Sequence, residues 1–330
     1  MDGPRTFAAK RWLPHAGHGS LATAGPHSAI EERCKDLRSS VESATPRLVT
    51  FDGMGGEGGG EALRTALTLS LVTGRPFRFI RIRANHDRPG LRLRDLAAVK
   101  AAAALGNAAI SGAAVGALDV TFRPETFSPR DLALDLGADG STARVLQMLS
   151  LPIALKSEAP VRLTLSSSIM SRNANSYTFL EATWRAHLAA LGARVRLTTP
   201  AAGRLDAWIE PAALRPIRLT ERGRFVRFSL LTTPSCLALT AEYDGAPPII
   251  FDTVDAWLAY HNAPGAGVVD PRSAGQLMPA LALTPGRSEY TVSEVTESLR
   301  TIAKLVPTFL DREIRVEEPR AGRPGRVVVD

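Results

Sequence analysis

The sequence predicts an α/β fold assembled from repeated units of strand and helix, with a smaller strand-rich element set into it. Three observations carry that expectation. Residues 48–123 read as strand, helix, strand, helix, strand; a comparable rhythm recurs over 141–198; and the alternation returns after a β-rich stretch. The chain has 330 residues, 45% apolar and 22% charged, enough for one large core or two modest domains. No run reaches the roughly 18 consecutive apolar residues of a membrane-spanning helix, so a soluble protein with no membrane partner is expected.

Residues 1–47 mix Gly, Pro, Ser, His and scattered charge without a period of 2 or 3.6 and read as a poorly ordered extension. Its acidic residues, among them Asp2, Glu31 and Asp36, and the want of a roughly 7–15-residue apolar segment argue against a secretory signal. Leu48, Val49 and Phe51 then form a short strand, followed by the turn Gly55-Gly56-Glu57-Gly58-Gly59-Gly60. Leu63, Ala66, Leu67 and Leu71 recur at three and four, giving a helix that Gly74 and Pro76 stop. A strand follows over 77–83. Asp95 is expected to N-cap an Ala-rich helix running to Leu105, and 117–123 reads as another strand.

The spacing next predicts a helix over 141–151 ended by Pro152, a strand over 161–166, a helix over 178–191 and a strand over 193–198. Strands at 217–219, 225–231 and 237–243 place a reduced insert at 201–250, leaving 48–200 and 251–330 as the core. The last part reads as a helix over 254–260, a Gly/Pro loop, a strand over 289–292, a helix over 294–305, a strand over 313–316 and a polar tail turn.

Cys34 and Cys236 stand far apart with no CxxC or paired histidines, which signals neither a disulfide framework nor a zinc site and points to a reducing, intracellular compartment. The net charge of +7 favours polyanionic partners. Clustering sharpens this: seven arginines (75, 78, 81, 83, 88, 92 and 94) are opposed between Arg75 and Arg94 only by Asp87. Guanidinium forks bind phosphate oxygens bidentately, although a solvated charged face is the competing reading. The glycine-rich turn before a helix exposes N–H groups that can bind an anion, yet no Gly-Lys-Ser/Thr follows, and the glycines also suit a plain tight turn. Glu57 in such a turn repels phosphate unless a divalent metal or a hydroxyl mediates; a solvated turn is the alternative.

The stretch Phe51-Asp-Gly-Met-Gly-Gly-Glu-Gly-Gly-Gly-Glu-Ala-Leu-Arg64 closely resembles the opening motif of RNA 3'-terminal phosphate cyclases. Ala66 to Pro76, Ile82-Arg83-Ala84, Arg88-Pro89-Gly90-Leu91 and Leu96 to Lys100 keep the family's order and spacing, with weaker similarity at 145–147, 219–223 and 289–292. The resemblance implies units of a β-sheet plus two helices, as also in enolpyruvyl transferases, and a smaller inserted domain. It implies ATP and Mg2+ as cofactors and RNA as partner, with no DNA specificity evident and a cytoplasmic, or in a eukaryote nucleolar, location. It further implies a nucleotide and RNA-phosphate pocket lined by Glu57, Glu61, Arg64, Arg83, His86, Arg88 and Arg94, with Glu57 as the candidate metal ligand.

The departures narrow the expected chemistry. His86 stands where the family commonly has arginine and Arg94 where it has glutamine. Ser298 takes the place of the histidine that attacks ATP in these enzymes, no histidine follows His261, and Ala274 and Gly275 stand near the family's acidic residue. A serine hydroxyl without a base is a poor nucleophile. His86 as a substitute nucleophile and His86 as a drifted arginine both remain readings. ATP-dependent cyclisation of a 3'-phosphate to a 2',3'-cyclic phosphate is therefore doubtful. The alternatives are a non-catalytic RNA-binding protein, as in the family's ribosome-biogenesis branch, and a transferase of small phosphorylated substrates.

Overall fold

Alternating burial makes β1 (Val49–Asp52) and β2 (Phe77–Ile80) strands that pair in parallel, because α1 (Gly60–Thr73) returns the chain between them. The computed structural model describes residues 47–55, 59–138, 140–167, 174–233 and 236–330. The extension expected over 1–47 lies, but for Arg47, outside the described residues. After β2 come α2 (Leu93–Gly106) and the antiparallel pair β3 (Ala109–Ser111) and β4 (Val120–Arg123), closing a sheet of order β1-β2-β4-β3.

The same topology is built twice more. β5 (Leu132–Asp135), α3 (Thr142–Lys156) and β6 (Val161–Ser166) lead to α4 (Ala174–Phe179), a π-helical segment Leu180–Trp184 and α5 (Arg185–Ala190). β7 (Val195–Thr198) and β8 (Arg204–Ile209) then complete the order β5-β6-β8-β7. β9 (Arg218–Leu219) opens the third unit, but an antiparallel sheet of β10 (Phe225–Thr233), β11 (Cys236–Tyr243) and β12 (Ala246–Phe251), then α6 (Val254–Asn262), intervene. α7 (Pro271–Ala282), β13 (Ser288–Val292), α8 (Glu297–Phe309), β14 (Ile314–Glu317) and β15 (Gly325–Val329) finish the order β9-β13-β15-β14. The repeated α/β architecture expected from the sequence is what the chain forms.

One apolar core runs through all three units, and a small separate cluster of Ala241, Tyr243 and Ile249 holds the three-stranded sheet. α1 lies at the centre, buried from Ala62 to Leu71 except at Arg64, and packs on α2, α3, α7 and α8. Among the described residues no helix is long and apolar enough to cross a membrane.

Several boundaries differ from expectation for identifiable reasons. Pro152 does not end α3 but sits inside it: proline removes the donor to the carbonyl four residues back, and the Met148 carbonyl instead accepts the Thr68 hydroxyl at 2.9 Å. Asp95 is not the N-cap of α2. Arg92 is, and Asp95 sits three residues into the helix, accepting the Arg92 N–H at 3.3 Å. β2 stops at Ile80 because Arg81 and Arg83 take left-handed backbone, each at φ 53°. The expected insert boundary of 201–250 also shifts, since β8 and β9 join four-stranded sheets while the three-stranded sheet and α6 span 225–262. The Gly/Pro loop contains α7, begun by Asp270 as N-cap and Pro271 in the first turn. The polar tail runs into β15.

Candidate functional site

The helices around α1 start at one end of the molecule. A side chain on Gly60 would collide with the Asp95 carboxylate at the start of α2, and eleven residues on, one on Gly106 would stand 2.6 Å from Leu71, so α1 and α2 run parallel in register. Thr68 bonds to Met148 while Arg64 and Arg144, one turn earlier on each helix, share an electrostatic field, which sets α3 parallel as well. At the far end Arg75 donates to the Phe309 carbonyl at 2.9 Å, so α8 ends where α1 ends. Near its beginning, α8 presents Ile302 beside Gly275 of α7, whose Cα faces Glu61 of α1.

Arginines occupy this shared beginning. Arg64 on α1, Arg94 on α2 and Arg144 on α3 interact electrostatically with one another and with Glu61 and Asp95. Arg83 enters from the loop after β2 and reaches Asp95 at 3.9 Å; its side chain is 9% exposed and that of Asp95 1%. Among the described residues, four guanidiniums thus face two carboxylates. Burial, reinforced by Arg144 and Arg94, pushes the Arg64 pKa down to about 10 against the raising pull of Glu61 and Asp95. Arg144 is lowered by burial first and by Arg94 second. Both stay cationic at neutral pH, so the charge is held there at a cost. Arg94 Nε and Asp95 Oδ1 are buried without a hydrogen-bond partner among the described residues.

Backbone geometry adds to this field. α1 has no side-chain cap on its Gly59 N-cap, whereas Ser141 and Thr296 cap α3 and α8. Gly59 thus offers the first N–H groups of α1 no side-chain acceptor, and the dipole at each helix start favours an anion. Left-handed backbone at Arg81 and Arg83 sends neighbouring arginines different ways. Arg83 is buried at the cluster, while Arg81 is exposed and pairs with Asp52, its Nε donating at 2.9 Å.

Of the residues expected from the sequence, Glu61, Arg64, Arg83 and Arg94 come together. His86 is half-buried on the same loop, its N–H donating to the Arg83 carbonyl at 3.0 Å, and Arg88 is exposed. Glu57 lies outside the described residues. Ser298 sits in the first turn of α8, one turn before Ile302 on the same face, and so belongs to this end of the molecule. The expectation omits Arg144 and reads Asp95 only as a cap. A signal for Arg144 exists: basic residues in the first turn of a helix oppose its dipole, and Arg94 and Arg144 both do so.

The other described histidines are engaged elsewhere. His187 is buried on α5, donating from Nδ1 to the Thr183 carbonyl at 2.8 Å. His261 stacks on Trp257 at 4.9 Å in the insert, where Arg222 binds the Tyr260 and His261 carbonyls at the end of α6. No group of three or more His, Cys, Asp or Glu side chains arranged for a metal occurs among the described residues.

A family model described as RNA 3'-terminal phosphate cyclase matches residues 55–316, a span that holds the arginine cluster and all of the second unit, with the first unit beyond β1 and the third up to β14. The chain belongs to the RNA 3'-terminal phosphate cyclase family. It is 29% identical over 332 positions to the RNA 3'-terminal phosphate cyclase of Caldivirga maquilingensis, covering 81% of this chain and 94% of that one. It is 28% identical to the Archaeoglobus fulgidus protein of the same name, over 82% and 98%. With the RNA 3'-terminal phosphate cyclase of Koribacter versatilis the match is 37% over 54% of this chain and 53% of that one. An EPSP synthase structure from Acinetobacter baumannii matches at 14% identity with a TM-score of 0.34, over 86% of this chain and 64% of that one. For this RNA 3'-terminal phosphate cyclase family member, the strand orders themselves define the fold.

Proposed function

We propose that this protein captures the phosphorylated 3' end of RNA where α1, α2, α3 and α8 begin, and holds it without transferring AMP to it. The convergence of Arg64, Arg83, Arg94 and Arg144 on two carboxylates among the described residues, Glu61 and Asp95, carries this reading. A terminal phosphomonoester bears about −1.5 to −2 charges at neutral pH, against one for an internal diester, so a compact cationic pocket selects the end of a strand over its body.

ATP suits the same cations through its phosphates. Mg2+ would arrive on the nucleotide's own oxygens, as it commonly does at phosphate sites. AMP transfer requires a nucleophile, and Ser298 has no histidine near it in the chain to take its proton.

Labelled ATP and 3'-phosphorylated oligoribonucleotide test both halves of the proposal. The expected result is tighter binding of the 3'-phosphorylated strand than of its 3'-hydroxyl counterpart, no labelled protein and no phosphatase-resistant end, with Ser298→Ala unchanged in binding. Equal affinity for the two ends overturns the binding reading. A labelled protein or a protected end overturns the non-transferring one.

A further inference from the structure

α2 presents two stripes. Asp95, Ala98, Val99 and Ala102 are buried on the side of α1, while Leu93, Leu96, Ala97 and Lys100 share the other side, with Arg94 between them. The second stripe faces Leu134–Ala138, the end of β5 and the start of the chain leading into α3, across a groove of about 390 Å³. That volume falls within the roughly 300–1,000 Å³ of small-molecule pockets. Leucine and alanine form its walls, and Lys100 and Asp135 supply polar groups.

Both ends of the groove lie at helix starts that carry arginines of the cluster. Leu93, the first residue of α2, is 52% exposed although Arg92 and Arg94 flank it. The chain at Ala138 leads within a few residues to Ser141 and Arg144. An apolar slot at the starts of α2 and α3, the helices that bear Arg94 and Arg144, matches a ligand with a flat apolar part joined to an anionic one. A nucleotide is such a ligand, and an unpaired base can be held between apolar side chains such as the leucines and alanines here.

We infer that this groove takes the 3'-terminal base of a single-stranded RNA whose phosphate sits on the arginine cluster, an assignment that rests on the 3'-phosphate reading above. A base held in a duplex cannot turn into the slot, so the end must be unpaired. Stacking is tolerant of base identity, so the groove selects for the presence of a base more than for its kind.

Three probes on the full chain separate the possibilities: inorganic pyrophosphate, a 3'-phosphorylated single-stranded oligoribonucleotide, and the same strand ending in an abasic 3'-phosphorylated ribose. Ala97→Phe fills the groove and Leu93→Ser removes its exposed lip without touching the arginines. Melting temperatures confirm that both variants fold. Each should weaken the intact oligonucleotide by roughly 10-fold, leave pyrophosphate unchanged, and bind the abasic strand no more weakly than the unaltered protein does. Wild-type affinity of both variants for the intact strand overturns the groove assignment and leaves the phosphate reading standing. Failure of the unaltered protein to bind either pyrophosphate or the 3'-phosphorylated strand overturns both.

Discussion

Thr68 on α1 donates its hydroxyl hydrogen to the Met148 carbonyl on α3, the carbonyl that Pro152 leaves without a helical donor. Thr68→Val keeps the shape and strands that carbonyl, so a loss of about 1–3 kcal/mol in urea unfolding is expected. The double variant Thr68→Val with Pro152→Ala returns an N–H to the carbonyl and should recover most of the loss.

Arg64 and Arg144 crowd like charge at the helix starts, a cost that a bound anion relieves. Arg144→Gln should raise the melting temperature of the unliganded protein by about 2–4 °C and shrink the rise that pyrophosphate produces. The pH dependence has a definite sign. Burial holds the Arg64 pKa at about 10 in the fold, well below its ordinary value in the unfolded chain, so its cation penalises the fold below pH 10. That penalty fades as pH climbs from about 10 towards the ordinary arginine range, while pyrophosphate stabilisation falls over the same rise, as thermal shifts above and below pH 10 can measure.

Arg81 and Arg83 are near neighbours with different partners, and their variants should separate cleanly. Arg83→Gln is expected to weaken binding of a 3'-phosphorylated oligoribonucleotide and to lower the slope of log affinity against log salt by about 0.7. Arg81→Ala, which releases only the outward pair with Asp52, should leave both unchanged. Fluorescence anisotropy across a salt series reads the two together.

Glu289 on β13 is buried among Arg218 at 2.6 Å, Arg287 at 3.6 Å and Arg326. Burial works to raise its pKa, but the hydrogen bond and charge of Arg326, with Arg218 and Arg287, outweigh it and leave the carboxyl below its ordinary value. Its contribution is present above the ordinary carboxylate range and is lost as pH falls through the lowered value. Glu289→Gln should cost about 1 kcal/mol at neutral pH, since its partners are solvent-exposed, and the gap should close in acid.

The sequence reads most clearly where period and punctuation agree. Leu63, Ala66, Leu67 and Leu71 are all buried, and α1 ends at Gly74 in the left-handed conformation that glycine favours. It reads least clearly where a strand exists only by virtue of a distant partner. β8 is defined by pairing with β6 and β7, and β12 is disguised by Pro247 and Pro248, which an edge strand tolerates. Gly275 and Pro279 hide α7 in the same way. At the site, Arg83 and Arg94 stand out through local clustering and family resemblance. Arg144 carries only the weaker signal of a basic residue in the first turn of its helix, because packing of α3 along α1 is what brings it to them.

The position of the three-stranded sheet bears on the order in which the chain can assemble. In the first unit Asp52 pairs with Ile80, and in the second Leu132 pairs with Leu163, both short closures. In the third, Leu219 must wait for Tyr290, with the whole insert between them. Loop-closure entropy makes that contact the slowest of the three to form. A nascent chain can therefore complete two units while α1 still lacks α7 and α8. The phosphate-facing end, which needs the start of α8 beside those of α1, α2 and α3, is finished last.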